Sequence, residues 1–273
     1  MQELITKAAT LLEALPYIQR FAGATFVIKY GGSFMESPEE TVRTGVASDV
    51  VFLEAVEINP VVVHGGGKRI NKALEAAGIE TRFVNGLRYT DSATVKVVDQ
   101  VLSKEVNGEI VEMINSLGGE AKGIAGTDIF TCQRHEPGGE DYGYVGEVMA
   151  VNTAPLEECI SKGVTPVISP TARNAEGQIY NCNADIAAAQ AAIALAAKRL
   201  VFMSDVPGLL RDPEDAESLI PHLNIKEVDE LKQAGIIARG MIPKVDSAVS
   251  AIEAGVDKES FVDGRINHAV LLE

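Results

Sequence analysis

Two similar segments place adjacent glycines directly after short β-branched strands, and they constrain the fold more than any other feature. The first is residues 26–33, FVIKYGGS, and the second is residues 60–68, PVVVHGGGK. Glycine has no Cβ, so the backbone can turn sharply there and present several N–H groups to an anion. A helix that follows such a turn adds the positive end of its dipole. The pair therefore predicts phosphate chemistry at the ends of two strands.

Strand-like and helix-like segments alternate along the chain. Predicted strands cover residues 25–30, 60–64, 122–125, 165–169, 200–204 and 260–262. Predicted helices cover residues 39–58, 67–77, 92–117, 184–197, 226–233 and 243–254. This alternation predicts an α/β fold, a three-layer αβα sandwich with a mainly parallel central sheet. Ligands of such sheets bind at the carboxyl ends of the strands, where both glycine turns fall.

Composition excludes several classes of protein. The formal net charge of −15, without any dense Lys/Arg block, argues against a nucleic-acid partner. We expect a cytoplasmic protein with no membrane partner, because neither a secretory signal pattern nor a membrane-length apolar run is present. Cys132, Cys159 and Cys182 are odd in number and widely spaced, which predicts reduced thiols without a metal site.

Two segments suggest structure around the site. Residues 129–151 contain paired glycines and a short alternating run, which indicates either a hairpin over the second substrate or a plain surface excursion. The alanine-rich helix predicted over residues 184–197 permits close packing, and we expect it to connect two lobes.

The N-terminal helix carries an apolar seam. Its members alternate steps of four and three residues: Leu4, Ala8, Leu11, Leu15 and Ile18. Pro16 removes an intrahelical hydrogen bond and predicts a kink. The helix could lie on its own domain, or it could be exchanged with another subunit.

Two lysines and one aspartate are candidate catalytic residues. Lys29 lies where the first strand meets its glycines, and an ammonium there can neutralise charge on a phosphoryl group in transfer. Lys244 falls at a predicted helix N-terminus, where a cation is unfavourable unless an anion binds nearby. Asp185 could hold both lysines in register. Either lysine could instead be an ordinary solvated side chain.

Other polar residues have both a binding and a structural interpretation. Asn181, Asn183 and Asp185 alternate before an alanine-rich helix, although a helix cap needs only one such residue. Arg88 offers a planar fork for a substrate carboxylate, or it could pair with a surface neighbour. His64 could be an acid–base group, or it could be structural.

Five of these motifs occur in the order found in the amino-acid kinase family. They are residues 29–32 (KYGG), 64–67 (HGGG), 181–185 (NCNAD), 204–208 (SDVPG) and 240–244 (GMIPK). From about residue 11 to residue 273 the chain resembles this family, and residues 86–91 (GLRYTD) favour the branch that acts on N-acetyl-L-glutamate. The resemblance implies transfer of the γ-phosphoryl group of ATP to the γ-carboxylate of N-acetyl-L-glutamate, which gives an acyl phosphate in arginine biosynthesis.

The resemblance also implies a role for each site residue. Lys29 and Lys244 stabilise the transferring group and Asp185 orders them, while Mg²⁺ bridges the phosphates without a protein metal ligand. The implied ATP-binding residues are Lys29, Gly31, Gly32, Ser204, Asp205, Val206, Gly208, Leu209, Met241 and Lys244. The implied acetylglutamate-binding residues are Gly65, Gly66, Gly67, Arg88, Asn181 and Asn183.

Regulation and domain organisation follow from the same resemblance. Residues 11–18 resemble the kinked helix of arginine-inhibited members, which interlaces dimers into a hexamer, with Tyr17, His268 and Glu273 near the effector. We expect an oligomerisation helix over residues 1–22, an acetylglutamate-binding lobe over 23–197 and a nucleotide-binding lobe over 198–273. The last lobe is expected to be shortened, because relatives continue beyond the position of residue 273 through a further strand.

Two alternatives stay open. The substrate could be a related N-acetylated amino acid such as N-acetyl-aminoadipate, since residue spacing does not resolve one methylene. The fold could also serve as a ligand-sensing module without catalysis, although two retained lysines aimed at one phosphate disfavour that.

Overall fold

A computed structural model describes residues 1–31, 33–37, 39–212, 214–238 and 240–272. Its strands are β1 (Thr25–Tyr30), β2 (Asn59–His64), β3 (Phe83–Val84), β4 (Leu87–Arg88), β5 (Ala121–Ile124), β6 (Phe130–Arg134), β7 (Val145–Val151), β8 (Thr165–Ile168), β9 (Thr171–Arg173), β10 (Ile179–Cys182), β11 (Arg199–Ser204) and β12 (Lys258–Asp263). Its α-helices are α1 (Gln2–Phe21), α2 (Glu40–Ala55), α3 (Gly67–Ala76), α4 (Ser92–Gln100), α5 (Asn107–Ser116), α6 (Ala154–Ser161), α7 (Ala184–Ala194), α8 (Val228–Gln233) and α9 (Met241–Glu253).

The central sheet confirms the predicted α/β fold. Its strand order is β12-β11-β1-β2-β8-β5, and every neighbouring pair is parallel. The register places Tyr30 of β1 beside His64 of β2. Both glycine turns therefore leave the sheet at the same level, at its carboxyl edge.

Helices cover both faces of this sheet, as the sequence predicts. Ile28 and Val62 face a core formed with α2, α4 and α5, while Val27 and Val61 face the opposite side, where α7 packs. The small side chains of α7 allow this close approach, since Ala187 is fully buried. Burial on both faces explains why these strands read as continuous apolar runs.

Residues 129–151 form the predicted hairpin, whereas its placement over the second substrate stays a prediction. Strands β6 and β7 pair antiparallel, with an irregularity between Thr131 and Cys132, and they close a small barrel in the order β10-β7-β6-β9. Cys132, Cys159 and Cys182 are buried and unbonded, in agreement with reduced thiols.

The predicted helix over residues 92–117 is interrupted. A π-helical segment, Val101–Val106, separates α4 from α5. A π turn widens the helix by one residue per hydrogen bond and occurs often at functional sites. Here it precedes Asn107, whose position it offsets relative to α4.

Helix α1 exposes apolar side chains. The helix continues without interruption past Pro16. Leu11 and Leu12 are each 68% exposed. Leu15 and Tyr17 are also exposed. This face does not pack on the chain's own core, whereas the kink expected at Pro16 stays a prediction.

Of the helices within the described ranges, none is both long enough and apolar enough to cross a lipid bilayer.

Candidate active site

Lys29 lies near the end of β1, and Gly31 directly follows the strand. The Lys29 side chain is buried, with 8% of the residue exposed. A Cβ added to Gly31 would lie 2.9 Å from both Cε and Nζ of Lys29, and 3.5 Å from the Gly65 nitrogen. The first glycine turn therefore leaves space for the ammonium, and it lies against the second glycine turn.

One carboxylate joins the two candidate lysines. The Lys29 ammonium lies 3.0 Å from Asp185 Oδ1, and the Lys244 ammonium donates to Asp185 Oδ2 at 2.9 Å. Asp185 is the second residue of α7, and Lys244 lies in the first turn of α9. The structure thus brings together three predicted residues that are far apart in sequence.

Burial and charge act against each other in this triad. Burial opposes ionisation of Asp185, but the two ammonium groups outweigh it and hold the pKa of that carboxyl below its ordinary value. Burial is also the largest influence on Lys29, and with the positive charge of Lys244 it lowers the pKa of the Lys29 ammonium despite the attraction of Asp185. Two cations share one anion, so the triad carries a net positive charge that favours a phosphate.

Replacing Gly31 with alanine is expected to lower kcat about tenfold while the fold survives, since a misplaced charge-stabilising group costs a large part of its catalytic effect. The added methyl would displace the flexible end of Lys29 rather than backbone atoms. Steady-state kinetics and circular dichroism measure the two quantities. Gly45→Ala is the matched control, because its Cβ would meet only Asn267 Oδ1 at 3.8 Å. Unchanged kcat in Gly31→Ala would contradict this placement of the ammonium.

The second glycine turn is held on three sides. The Gly65 N–H donates to the Tyr30 carbonyl at 2.8 Å. A Cβ on Gly66 would lie 2.6 Å from Cδ2 of Leu102, so no side chain fits against the π-helical segment. Helix α3 begins at Gly67, and its N-terminal N–H groups are available to an anion.

His64 is structural rather than an acid–base group. It is fully buried, and burial lowers the pKa of its imidazole to about 4, so the ring is neutral at pH 7. Its Nδ1 lies 2.8 Å from the Gly65 carbonyl oxygen.

Arg88 is a buried cation whose hydrogen bonds go to neutral acceptors. Its Nη2 donates to Asn71 Oδ1 at 2.7 Å and to the Gly67 carbonyl at 3.3 Å. Its Nη1 is buried and has no hydrogen-bond partner among the described residues. Burial lowers the pKa of Arg88, yet an arginine keeps its charge in proteins. An orphaned buried donor of this kind is suited to a ligand carboxylate.

Asn181 is linked to the Arg88 segment through Thr90. Its Nδ2 donates to Thr90 Oγ1 at 3.2 Å, and that hydroxyl donates to the Arg88 carbonyl at 2.8 Å. Asn183 instead caps α7, because its side-chain oxygen accepts the N–H groups of Asp185 and Ile186. The cap orients Asp185 toward the lysines, so the Asn183 oxygen is already occupied.

The predicted nucleotide loop follows β11. Ser204 is buried at the strand end, Asp205 is exposed, and Val206 donates to Ser204 Oγ at 3.4 Å. Gly208 has a φ of 143°, which favours glycine, and Leu209 is buried. Leu209 and Met241 pack in or against a cluster whose buried members also include Val228, Leu231, Ile237 and Val245.

A cavity of about 210 Å³ connects this loop with the second glycine turn. Asp205, Gly66 and Gly67 line it together with Lys68 and Arg69. The predicted nucleotide and phosphate residues therefore border one space.

The predicted effector residues are not brought together by any contact within the described ranges. Tyr17 is exposed on α1, whereas the His268 Nδ1 lies 2.7 Å from the buried Asp49 Oδ1 of α2. Gly32 and Glu273, which the resemblance also implicates, lie outside the described residues.

Three polar residues of the site were not predicted from the sequence to be functional. Asn71, Thr90 and Asn107 each contact a predicted residue, namely Arg88, Asn181 and His64. Asn107 and Gly108 are poor helix formers in mid-helix, which is the signal that could have marked that position.

The carboxylate chemistry of the site does not fit a protein-held metal. Both oxygens of Asp185 are taken by ammonium groups, and the described ranges contain no cluster of three or more His, Cys, Asp or Glu side chains suited to a metal ion.

Comparison with known proteins agrees with this geometry. The model of the amino acid kinase family matches residues 24–262. An acetylglutamate kinase of Carboxydothermus hydrogenoformans is 46% identical, over 100% of this chain and 96% of that protein. An acetylglutamate kinase of Nostoc punctiforme is 47% identical, over 98% of this chain and 89% of that protein.

Solved structures share the fold. N-acetylglutamate synthase from Neisseria gonorrhoeae superposes with a TM-score of 0.83 at 24% identity, over 97% of this chain and 60% of that chain. Carbamate kinase from Giardia superposes with a TM-score of 0.67 at 14% identity, over 89% of this chain and 94% of that chain.

Proposed function

The chain belongs to the amino acid kinase family and phosphorylates N-acetyl-L-glutamate with ATP in arginine biosynthesis; we propose that Lys29, Lys244 and Asp185 carry out that transfer. The observation that carries this assignment is the shared carboxylate, which holds two ammonium groups side by side next to the two glycine turns. A module that only binds a ligand does not require Lys29 and Lys244 to be held on the same carboxylate.

In the proposed mechanism, a γ-carboxylate oxygen of N-acetyl-L-glutamate attacks the γ-phosphorus of ATP in line. The new phosphorus–oxygen bond forms while the bond to the β-phosphate oxygen breaks, which releases ADP. Lys29 and Lys244 neutralise charge on the transferring oxygens, and the N–H groups of the Gly65–Gly67 turn hold phosphate oxygens. A carboxylate nucleophile is already ionised at pH 7, so no general base is required.

Substrate binding is assigned to residues on the two sides of the triad. Arg88, through its orphaned Nη1, and Asn181 bind acetylglutamate. The loop from Ser204 to Leu209, Met241 and Gly31 border the nucleotide. Mg²⁺ enters with ATP and supplies charge neutralisation on the phosphates. Asn183 contributes by capping α7, and residues 23–197 and 198–273 form the acetylglutamate-binding and nucleotide-binding lobes.

A substrate panel tests the function. The protein is incubated with ATP, Mg²⁺ and either N-acetyl-L-glutamate or N-acetyl-aminoadipate, and ADP release is compared with the acyl phosphate trapped by hydroxylamine. We expect equal amounts of ADP and hydroxamate with N-acetyl-L-glutamate. Faster turnover of N-acetyl-aminoadipate would reassign the substrate, and binding without turnover of either would support the ligand-sensing alternative.

We also propose an oligomer built through α1. The support is the exposed apolar side chains of Leu11 and Leu15, which do not pack on the chain's own core. Light scattering is expected to give a dimer or hexamer, and Leu11→Asp with Leu15→Asp is expected to reduce the mass. Glu13→Gln on the same helix is the control. A monomeric parent protein would contradict the proposal.

Feedback inhibition by arginine and a cytoplasmic location complete the proposal. The support for the inhibition is the resemblance of residues 11–18 to arginine-inhibited family members, with Tyr17 exposed on α1. Arginine titration is expected to lower the rate, and Tyr17→Ala is expected to raise the concentration required. Full activity at saturating arginine would remove the inhibition from the proposal.

A further inference from the structure

A fully enclosed hydrogen-bond chain lies behind the second glycine turn. His64 Nδ1 lies 2.8 Å from the Gly65 carbonyl oxygen, and His64 Nε2 lies 3.2 Å from Asn107 Nδ2. The same amide nitrogen of Asn107 donates to the Val167 carbonyl at 2.8 Å. His64 is 0% exposed and Asn107 is 4% exposed, so neither side chain can touch a substrate.

The partners determine where the imidazole proton lies. A carbonyl oxygen only accepts, so Nδ1 carries the proton and donates it to Gly65. Nε2 then has a free lone pair, which accepts one N–H of Asn107 while the other N–H reaches Val167. Every donor in the chain is matched with an acceptor.

This chain fixes the direction of a peptide plane. In a trans peptide the carbonyl and the following N–H point in opposite directions. Since the Gly65 carbonyl points at His64, the Gly66 N–H points away from His64, and Gly66 lines the cavity of about 210 Å³ described above. The turn cannot shift toward the π-helical segment, because Gly66 already lies against Leu102 and Val106 there.

We propose that His64 and Asn107 are positioning residues for phosphoryl transfer, which aim the Gly66 N–H at a phosphate oxygen by fixing the Gly65 carbonyl. The inference rests on the function proposed above. Phosphoryl transfer depends on groups that are already in position before the reaction. Part of that preorganisation is thereby assigned to His64 and Asn107, which no ligand contacts.

Asn107→Asp tests the chain, because it keeps the size of the side chain but removes both of its N–H donors, including the one to the Val167 carbonyl. The new carboxylate cannot donate, so a neutral imidazole must give its proton to it through Nε2, and Nδ1 then faces the Gly65 oxygen without a hydrogen. Protonation of the ring restores both N–H groups, and the carboxylate raises the pKa at which this happens. We expect kcat relative to the parent protein to be about tenfold lower at pH 8, and to recover as the pH falls to about 6.

Other ionisable groups around His64 do not produce this recovery. Its strand neighbour Tyr30 has a pKa raised to about 12 by burial and stays neutral. The charged side chains on the π-helical segment and the first turn of α5 are exposed: Lys104, Glu105 and Glu109. Asp99 on α4 is half-buried and accepts a hydrogen bond from Ser103 Oγ at 2.8 Å. Lys29 and Asp185 pair with each other on the opposite face of the sheet. Burial lowers the pKa of His64, and the hydrogen bond with the Gly65 carbonyl acts in the opposite direction.

Asn115→Asp is the matched control on the same helix. Its Oδ1 accepts the Ala121 N–H at 2.7 Å, which a carboxylate can also do. We expect its kcat ratio to stay near one and flat with pH. A flat ratio in Asn107→Asp, or kcat equal to that of the parent protein, would overturn the proposal.

A second measurement does not depend on turnover. The ¹⁵N NMR shifts of histidine-labelled parent protein report the tautomer of each of its four histidines, and His64→Gln identifies the His64 signal. The expected form has the proton on Nδ1, and a proton on Nε2 would overturn the proposal. If the parent protein did not turn over acetylglutamate, the proposed function would be refuted. The tautomer result would still decide whether the hydrogen-bond chain exists.

Discussion

Alanine in place of either Lys29 or Lys244 is expected to lower kcat about 10²-fold or more, which is the loss seen when one preorganised donor to a developing charge is removed. Each ammonium pairs with a different oxygen of Asp185 beside the glycine turns. Each therefore contributes separately to the positive electrostatic potential at the transferring group. The loss should appear in kcat, because the charge that the lysines meet develops in the transition state. Steady-state kinetics with N-acetyl-L-glutamate and ATP measure it.

Lys162→Ala is the control for these variants. Lys162 pairs with Glu158 on the surface, and its side chain is 63% exposed. Its removal is expected to leave kcat unchanged. Near-normal turnover in both Lys29→Ala and Lys244→Ala would refute the catalytic assignment, whatever the fold.

Asp185→Asn is expected to cost both activity and stability. The amide has the shape of the carboxylate but leaves the buried Lys29 ammonium and the partly buried Lys244 ammonium without their anion. Breaking a buried pair in this way costs about 3–5 kcal/mol of unfolding free energy. We expect kcat to fall about 10²-fold as the ammonium groups separate. Denaturant unfolding and kinetics measure the two losses.

The difference in unfolding free energy between the parent protein and Asp185→Asn should decrease at low pH. The pKa of Asp185 in the folded protein lies below its ordinary value of 3.8, so its contribution is complete above that value. It is lost as the pH falls through the folded pKa. The gap between the parent protein and Asp185→Asn should therefore be constant at neutral pH and shrink only in acid.

Asp246→Asn provides a surface comparison on α9. Asp246 pairs with Lys232, and its side chain is 49% exposed, so its loss is expected to cost at most about 1 kcal/mol. An equal and small loss in both aspartate variants would contradict the role of Asp185.

The inner strands of the central sheet, β1, β2, β8 and β11, could be predicted because burial on both faces gives them nearly continuous apolar runs. The short strands β9 and β10 could not, since three or four residues are too few to establish an alternating pattern. The π-helical segment was also missed, because a π turn leaves the apolar spacing of the flanking helices almost unchanged.

The candidate site was predictable where a residue type has few other uses. Adjacent glycines and lysines beside them indicated Lys29, Gly31 and Gly65 without any structure. Asn183 was interpreted as a ligand, although its oxygen caps α7, because both roles need the same residue type in the same place. Asn107 was recognisable from sequence only as a poor helix former; its role was not, since its partners His64 and Val167 are 43 and 60 residues away.

The strand order has a consequence for how the chain emerges from the ribosome. β1 pairs with β2 soon after synthesis begins, but its other edge is covered only by β11, near residue 199. Nascent chains therefore carry an apolar strand with open backbone groups through most of translation, and such edges attract other chains. Truncated products that end before β11 should accumulate in inclusion bodies or be held by chaperones.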